Sequence, residues 1–161
     1  LHIFRTATDL RLETILSLLK LFGSSRSRKA VVPIIKKLAH ENRNVRVWAV
    51  IALRQIGDLQ AIAPLLDCLE DDDDLVKLET GIALGEIGDT RVIAALVART
   101  ISSAPNVQIA LITLLKRYKE TVDIELLLTL LKNQALDVRL TAAAILAQRG
   151  EELGLNVLRD A

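Results

Sequence analysis

Val45, Val76, Val107 and Val138 stand 31 residues apart without a gap. Leu53, Leu84, Leu115 and Leu146 keep the same step, as do Leu65, Leu96, Leu127 and Leu158. Gly57, Gly88 and Gly150 share a column that Lys119 interrupts. A chain that says the same thing every 31 residues builds one supersecondary unit several times over. A unit this short cannot bury its apolar face alone, so the units must stack. Upstream, Ala30–Leu38 matches Ala61–Leu69 at the same shift. Pairing Phe22-Gly23 with Ile56-Gly57, however, requires three extra residues within Ser24–Lys29.

Each unit reads as two helices. Val45, Ala49, Ala52, Leu53 and Ile56 form a stripe along the first, the spacing of one helix face. Asn44, Asn106 and Asp137 precede such helices and fit N-caps, with Asp73 or Asp74 in that role in the third unit. Gly57, Gly88 and Gly150 sit where a left-handed residue ends a helix. Asp58 or Asp89 then caps a short second helix. In the second unit that helix carries Ile62, Leu65, Leu66 and Leu69. Pro33 and Pro64 fall in its first turn, where a missing N–H costs nothing. Five units result, at about 11–42, 43–73, 74–104, 105–135 and 136–161 of a single domain, the last truncated or serving as a cap.

Composition agrees with stacked helices. Hydrophobic residues make up 51% of the 161 but aromatics only 2%, and a sandwich or barrel favours aromatic and β-branched strands. The class is all-α. A lone Cys68 forms no internal disulfide, which predicts a reducing, cytoplasmic setting. No apolar run approaches the roughly 18 residues of a membrane span. The chain opens on Leu1 and holds no Met, so it reads as a fragment of something longer.

The pattern over Val45–Leu69, from Val45-Arg46 through Ile56-Gly57-Asp58 to Pro64-Leu65-Leu66, resembles the short HEAT-like repeat of phycobilin lyase subunits and many scaffolds. The resemblance covers nearly the whole chain, is strong in units two and three, and weakens in the fourth. It implies an α-solenoid of about five stacked two-helix repeats wound as a right-handed superhelix. It also implies that the helix beginning Val-Arg lines the concave face.

Little in the chain suggests catalysis. Two histidines, His2 and His40, leave almost no material for a metal site or a catalytic triad. A HEAT-like hydroxylase family, by resemblance, carries iron on His-Glu pairs just after the Val-Arg position. Here that position reads Val47-Trp48, Leu78-Glu79, Ile109-Ala110 and Leu140-Thr141, and His40-Glu41 falls in an inter-repeat turn. Asp71–Asp74 lacks the ligand spacing of an EF-hand and reads as an acidic, capping turn. Cys68 reads as a buried small hydrophobe. No enzyme activity, cofactor or metal is expected.

Two surfaces stand out as partner sites. On the Val-Arg helices the face opposite the core stripe is not polar. Val47, Trp48 and Ile51 lie there, bordered by Gln55. Ile82 follows with Glu79 and Glu86, then Ala110 with Thr113 and Arg117. Within it the column of Val47, Leu78, Ile109 and Leu140 reads more readily as packing between repeats. An apolar centre with a charged rim fits a groove for a segment of another protein, and exposed Trp is common at interface hot spots.

The second surface is basic: Arg26, Arg28 and Lys29, with Lys36, Lys37 and Arg43. Residues 1–54 hold 11 Lys/Arg against 3 Asp/Glu, net +8, and residues 55–161 hold 10 against 17, net −7. The sequence thus favours a non-catalytic scaffold that binds a protein segment on the concave face. Two alternatives stay open: a phycobilin lyase-type subunit, and binding of an acidic partner or nucleic acid at the basic end. The acidic remainder weighs against nucleic acid, and the opposed charges allow head-to-tail self-association.

Overall fold

The computed structural model describes residues 7–88, 90–99 and 105–159. Its helices are α1 (Ala7–Ser24), α2 (Val31–Ile35), α3 (Arg43–Ile56), α4 (Ile62–Asp67) and α5 (Asp74–Ile87). They continue as α6 (Thr90–Arg99), α7 (Pro105–Arg117), α8 (Ile124–Leu130), α9 (Leu136–Gln148) and α10 (Glu152–Arg159). No strand occurs among the described residues. The fold is an all-α solenoid of two-helix repeats. It divides into an N-terminal unit ending at Ala83 and a C-terminal unit starting at Leu84, and the division falls inside α5.

In the N-terminal unit both α1 and α2 pack against α3. In the C-terminal unit α9 is flanked by α7, α8 and α10. The predicted stripe is the core: Val45, Ala49, Ala52, Leu53 and Ile56 are all buried. Leu53, Leu84, Leu115 and Leu146 are wholly sealed from solvent. At about 25 cal/mol per Å² each such side chain contributes roughly 2 kcal/mol of burial. The second helices are shorter than a single α-helix would be. α4 is a central α segment between 3₁₀ turns at Leu59–Ala61 and Cys68–Glu70. Pro64 and Pro33 are each third residue of their α segment, within the first turn as expected.

The helix ends both match and correct the sequence reading. Asp58 and Asp73 cap as expected, Asp58 accepting from the Gln60 amide and Asp73 from the Leu75 and Val76 amides. Asn44 does not cap: Asn42 does, accepting from the Asn44 amide at 2.9 Å. Asp137 lies inside α9, where Ala135 is the N-cap and Asn133 accepts from its amide. Asn106 lies inside α7, which starts at Pro105, and Asp89 lies outside the described residues.

Gly57 and Gly150 are left-handed, with φ of 71° and 85°, but Gly88 is not. Gly88 has a packing reason instead, because a Cβ there would meet the Leu84 carbonyl and Val92. Nor does the first unit contain an insertion. Arg26, 31 residues before Gly57, takes the left-handed position with φ of 50°. Its amide bonds to the Gly23 carbonyl and the Ser27 amide to the Phe22 carbonyl, the paired bonds that close a helix C-terminus. The interval therefore runs unbroken from Arg26, and Gly23 serves another purpose described below.

Among the described residues one wholly buried hydroxyl is unsatisfied. Thr80 is completely enclosed, and its hydroxyl has no hydrogen-bond partner among the described residues. An orphaned buried hydroxyl costs about 1–3 kcal/mol. Thr80→Val should therefore raise unfolding free energy by about 1 kcal/mol in a urea titration, whereas unchanged or lower stability would show that the hydroxyl is satisfied.

Candidate functional site

At Gly23 in α1 the α3 backbone comes close. A Cβ there would lie 3.0 Å from the Ala52 Cα and would strike the Gln55 side chain. Gly85, two repeats on, does the same in the C-terminal unit, its added Cβ falling 2.9 Å from the Thr113 Cβ. Continuing the column to α7 brings Lys116, not Gly. The residues that should close against this position on α9 are Ala144, Ile145 and Gln148, by the same offsets that bring Thr113 to Gly85 and Ala52 and Gln55 to Gly23. A groove of about 820 Å³ lies there, lined by Ile112, Lys116, Lys119, Leu140, Ala144 and Gln148 among others. The column alternates as Gly23, Arg54, Gly85 and Lys116, and at this last position a long basic side chain borders the groove.

The groove has an apolar floor of Ile112, Leu140, Ala144 and Ile145, with Leu158 of α10 at one end. Its rim is polar, with Lys116 and Lys119 on the α7 side and Asp137, Thr141 and Gln148 on the α9 side. The Thr141 hydroxyl donates to the Asp137 carbonyl at 2.7 Å, so the rim is internally satisfied there. The four α9 positions Leu140, Thr141, Ala144 and Gln148 stand three repeats after Val47, Trp48, Ile51 and Gln55. The periodic face picked out in the sequence is thus the face that opens into a groove. What the sequence reading missed is the opposite wall of Ile112, Lys116 and Lys119.

The other predicted contacts are unequal. Ala110 is fully buried and Val47 nearly so, so neither presents a surface to a partner; both are packing residues. Trp48 is half-buried, with the Lys20 ammonium 4.5 Å from its ring centroid. Ile51 and Ile82 are half-buried and Gln55 is exposed. Glu79 lies 3.6 Å from Arg54. Thr113 donates back to the Ile109 carbonyl. Arg117, with its guanidinium on the Glu86 carbonyl, closes the end of α5, and Glu86 itself is exposed. Tyr118 and Arg149 cap preceding helix ends in the same manner, through the Gly88, Val122 and Lys119 carbonyls. Leu78 is exposed, while Ile109 and Leu140 are half-buried, so their column does not behave as uniform inter-repeat packing.

The acidic turn is an ion-pair clamp as well as a cap. Arg46 makes two parallel bonds of 2.9 Å to Asp71, a third to Asp72, and donates to the His40 and Glu41 carbonyls. Its repeat image Arg139 holds the Asn133 and Gln134 carbonyls in the same way. Burial alone would raise the Asp71 pKa, but the Arg46 guanidinium and the Asp73 amide outweigh it and hold the carboxyl below its ordinary value. Asp73 is also lowered, chiefly by Arg43, 3.1 Å away. Arg43 is therefore committed to this turn. The other predicted cations differ: Arg26, Arg28, Lys29 and Lys36 are exposed and Lys37 is half-buried.

His40 lies in the inter-repeat turn and accepts the Asn42 amide on Nδ1. Cys68 is buried, and its burial, with Asp71 and Asp67 nearby, pushes the thiol up to about 11, so it stays protonated and unreactive. Among the described residues no helix is long and apolar enough to cross a membrane. A comparison with curated proteins finds no match. A family model of HEAT repeats matches residues 7–85 and 31–104. Together with the 31-residue repeat interval, that match places this chain in the HEAT-repeat family.

Proposed function

We propose that the chain is a non-catalytic scaffold whose α7–α9 groove holds a short segment of a partner protein. The observation that carries this reading is the groove itself: an apolar floor with a polar rim that includes Lys116 and Lys119, one wall of it on the face that repeats through the chain. Its volume accommodates a few side chains of an amphipathic helix or extended segment. The groove is preformed between packed helices, so binding would order little of the scaffold and lose little affinity to entropy. HEAT repeats commonly serve as protein-interaction surfaces, which agrees with this assignment.

The test is a displayed-peptide selection against the whole chain. Selected peptides should bind wild type in the micromolar range or better. Ala144→Arg, which fills the floor with a charged side chain, should weaken them at least ~30-fold, about 2 kcal/mol, without lowering the melting temperature. Equal affinity for both proteins would place the binding surface elsewhere.

A further inference from the structure

Arg26 takes a left-handed conformation that glycine adopts at two later positions of its column. Gly57 and Gly150 fill the equivalent sites, where a left-handed φ costs them nothing. A side chain there is disfavoured, and Arg26 nonetheless stands at φ of 50°, exposed, in a turn fixed by two backbone bonds. Strain of this kind, where glycine is the evident alternative, points from backbone to function. The surroundings supply the second observation. Arg28 and Lys29 follow at once, both exposed. Lys29, Val32, Pro33 and Lys36 then fall three, four and seven residues apart, on one side of the short second helix. All four are exposed, Val32 by 54%. The same positions one repeat later read Gln60, Ala63, Pro64 and Asp67, with no cation among them.

We infer that this face, Arg26, Arg28, Lys29, Val32, Pro33 and Lys36, docks a short acidic peptide segment of a partner protein. Its carboxylates meet the cations, and one apolar side chain lies over Val32 and Pro33. Charge complementarity selects the occupant. Arg26, Arg28, Lys29 and Lys36 have no ion pair among the described residues, unlike Arg43 and Arg46. Beyond Ile35 and Leu38 the neighbouring groove is walled by Asp67, Glu70 and Asp71. That wall repels a long polyanion and confines the carboxylates to one side. No aromatic side chain lies in this stretch to stack a base. The surface is separate from the α7–α9 groove, and Ala144→Arg leaves it intact.

Fluorescence anisotropy at low salt tests it, with a labelled ten-residue peptide of Glu and Asp around a central Leu as probe and a single-stranded oligonucleotide of equal charge as comparator. The wild-type chain should bind the peptide more tightly than the oligonucleotide. Arg28→Gln/Lys29→Gln/Lys36→Gln should weaken it at least tenfold with unchanged melting. Arg26→Gly should weaken binding about threefold and raise the melting temperature by about 2–4 °C, opposite effects that a purely structural residue would not produce. No binding, tighter oligonucleotide binding, undiminished affinity in the triple variant, or an Arg26→Gly protein that keeps full affinity would each overturn the proposal.

Discussion

Arg46→Ala is expected to destabilise the chain by about 3 kcal/mol, lowering its melting temperature by roughly 6–12 °C. The substitution leaves the Asp71 carboxylate, whose side chain is 9% exposed, without its bidentate partner. It also removes the donor that holds the His40 and Glu41 carbonyls. Arg46→Lys should recover less than half of the loss, since a point charge cannot reproduce the planar fork. The effect has a pH signature. Asp71 is held below its ordinary pKa when folded, so its contribution is fully present above the unfolded value of about 4 and is lost as pH falls through the folded one. The gap between wild type and Arg46→Ala, followed by denaturant unfolding, should be constant from pH 7 to about 5 and narrow below 4. A gap that is small at pH 7, or that widens in acid, would contradict the clamp.

The second large effect separates two leucines that the sequence writes alike. Leu127 and Leu158 occupy one column, yet Leu127 is sealed while Leu158 is 40% exposed at the end of the groove. Leu127→Ala should cost about 3 kcal/mol, transfer and cavity terms together, and Leu158→Ala less than about 1 kcal/mol. Similar losses in the two variants, read from calorimetric melts, would show that α10 is packed as tightly as α8.

Those two leucines also mark how far the sequence can be read. The stripe Val45 to Ile56 and the buried leucine columns were legible because burial in a stacked array recurs at the repeat interval. The last helix was not legible in this way: α10 exposes Leu155 although its column is otherwise apolar, because a side chain's burial depends on what covers it. Caps were misplaced by two residues at Asn44 and Asp137, since the cap falls where the backbone turns into the helix and several polar residues compete for it. The left-handed Arg26 was hidden because φ is a backbone property, and alignment sought a glycine. The groove was half legible. One wall repeats the Val47–Gln55 face, but the other, with Ile112, Lys116 and Lys119, shows only once the helices are packed together.

Cross-linking from inside the α7–α9 groove tests directly whether it holds a segment of another protein. A photoreactive phenylalanine analogue at Ala144 should, in native extract, form an adduct with one segment of a single partner. A synthetic peptide of that segment should compete it away, and Ile112→Arg should abolish it. Adducts that are absent, confined to this chain itself, or as scattered as those from the exposed turn residue Gln134 would contradict the account.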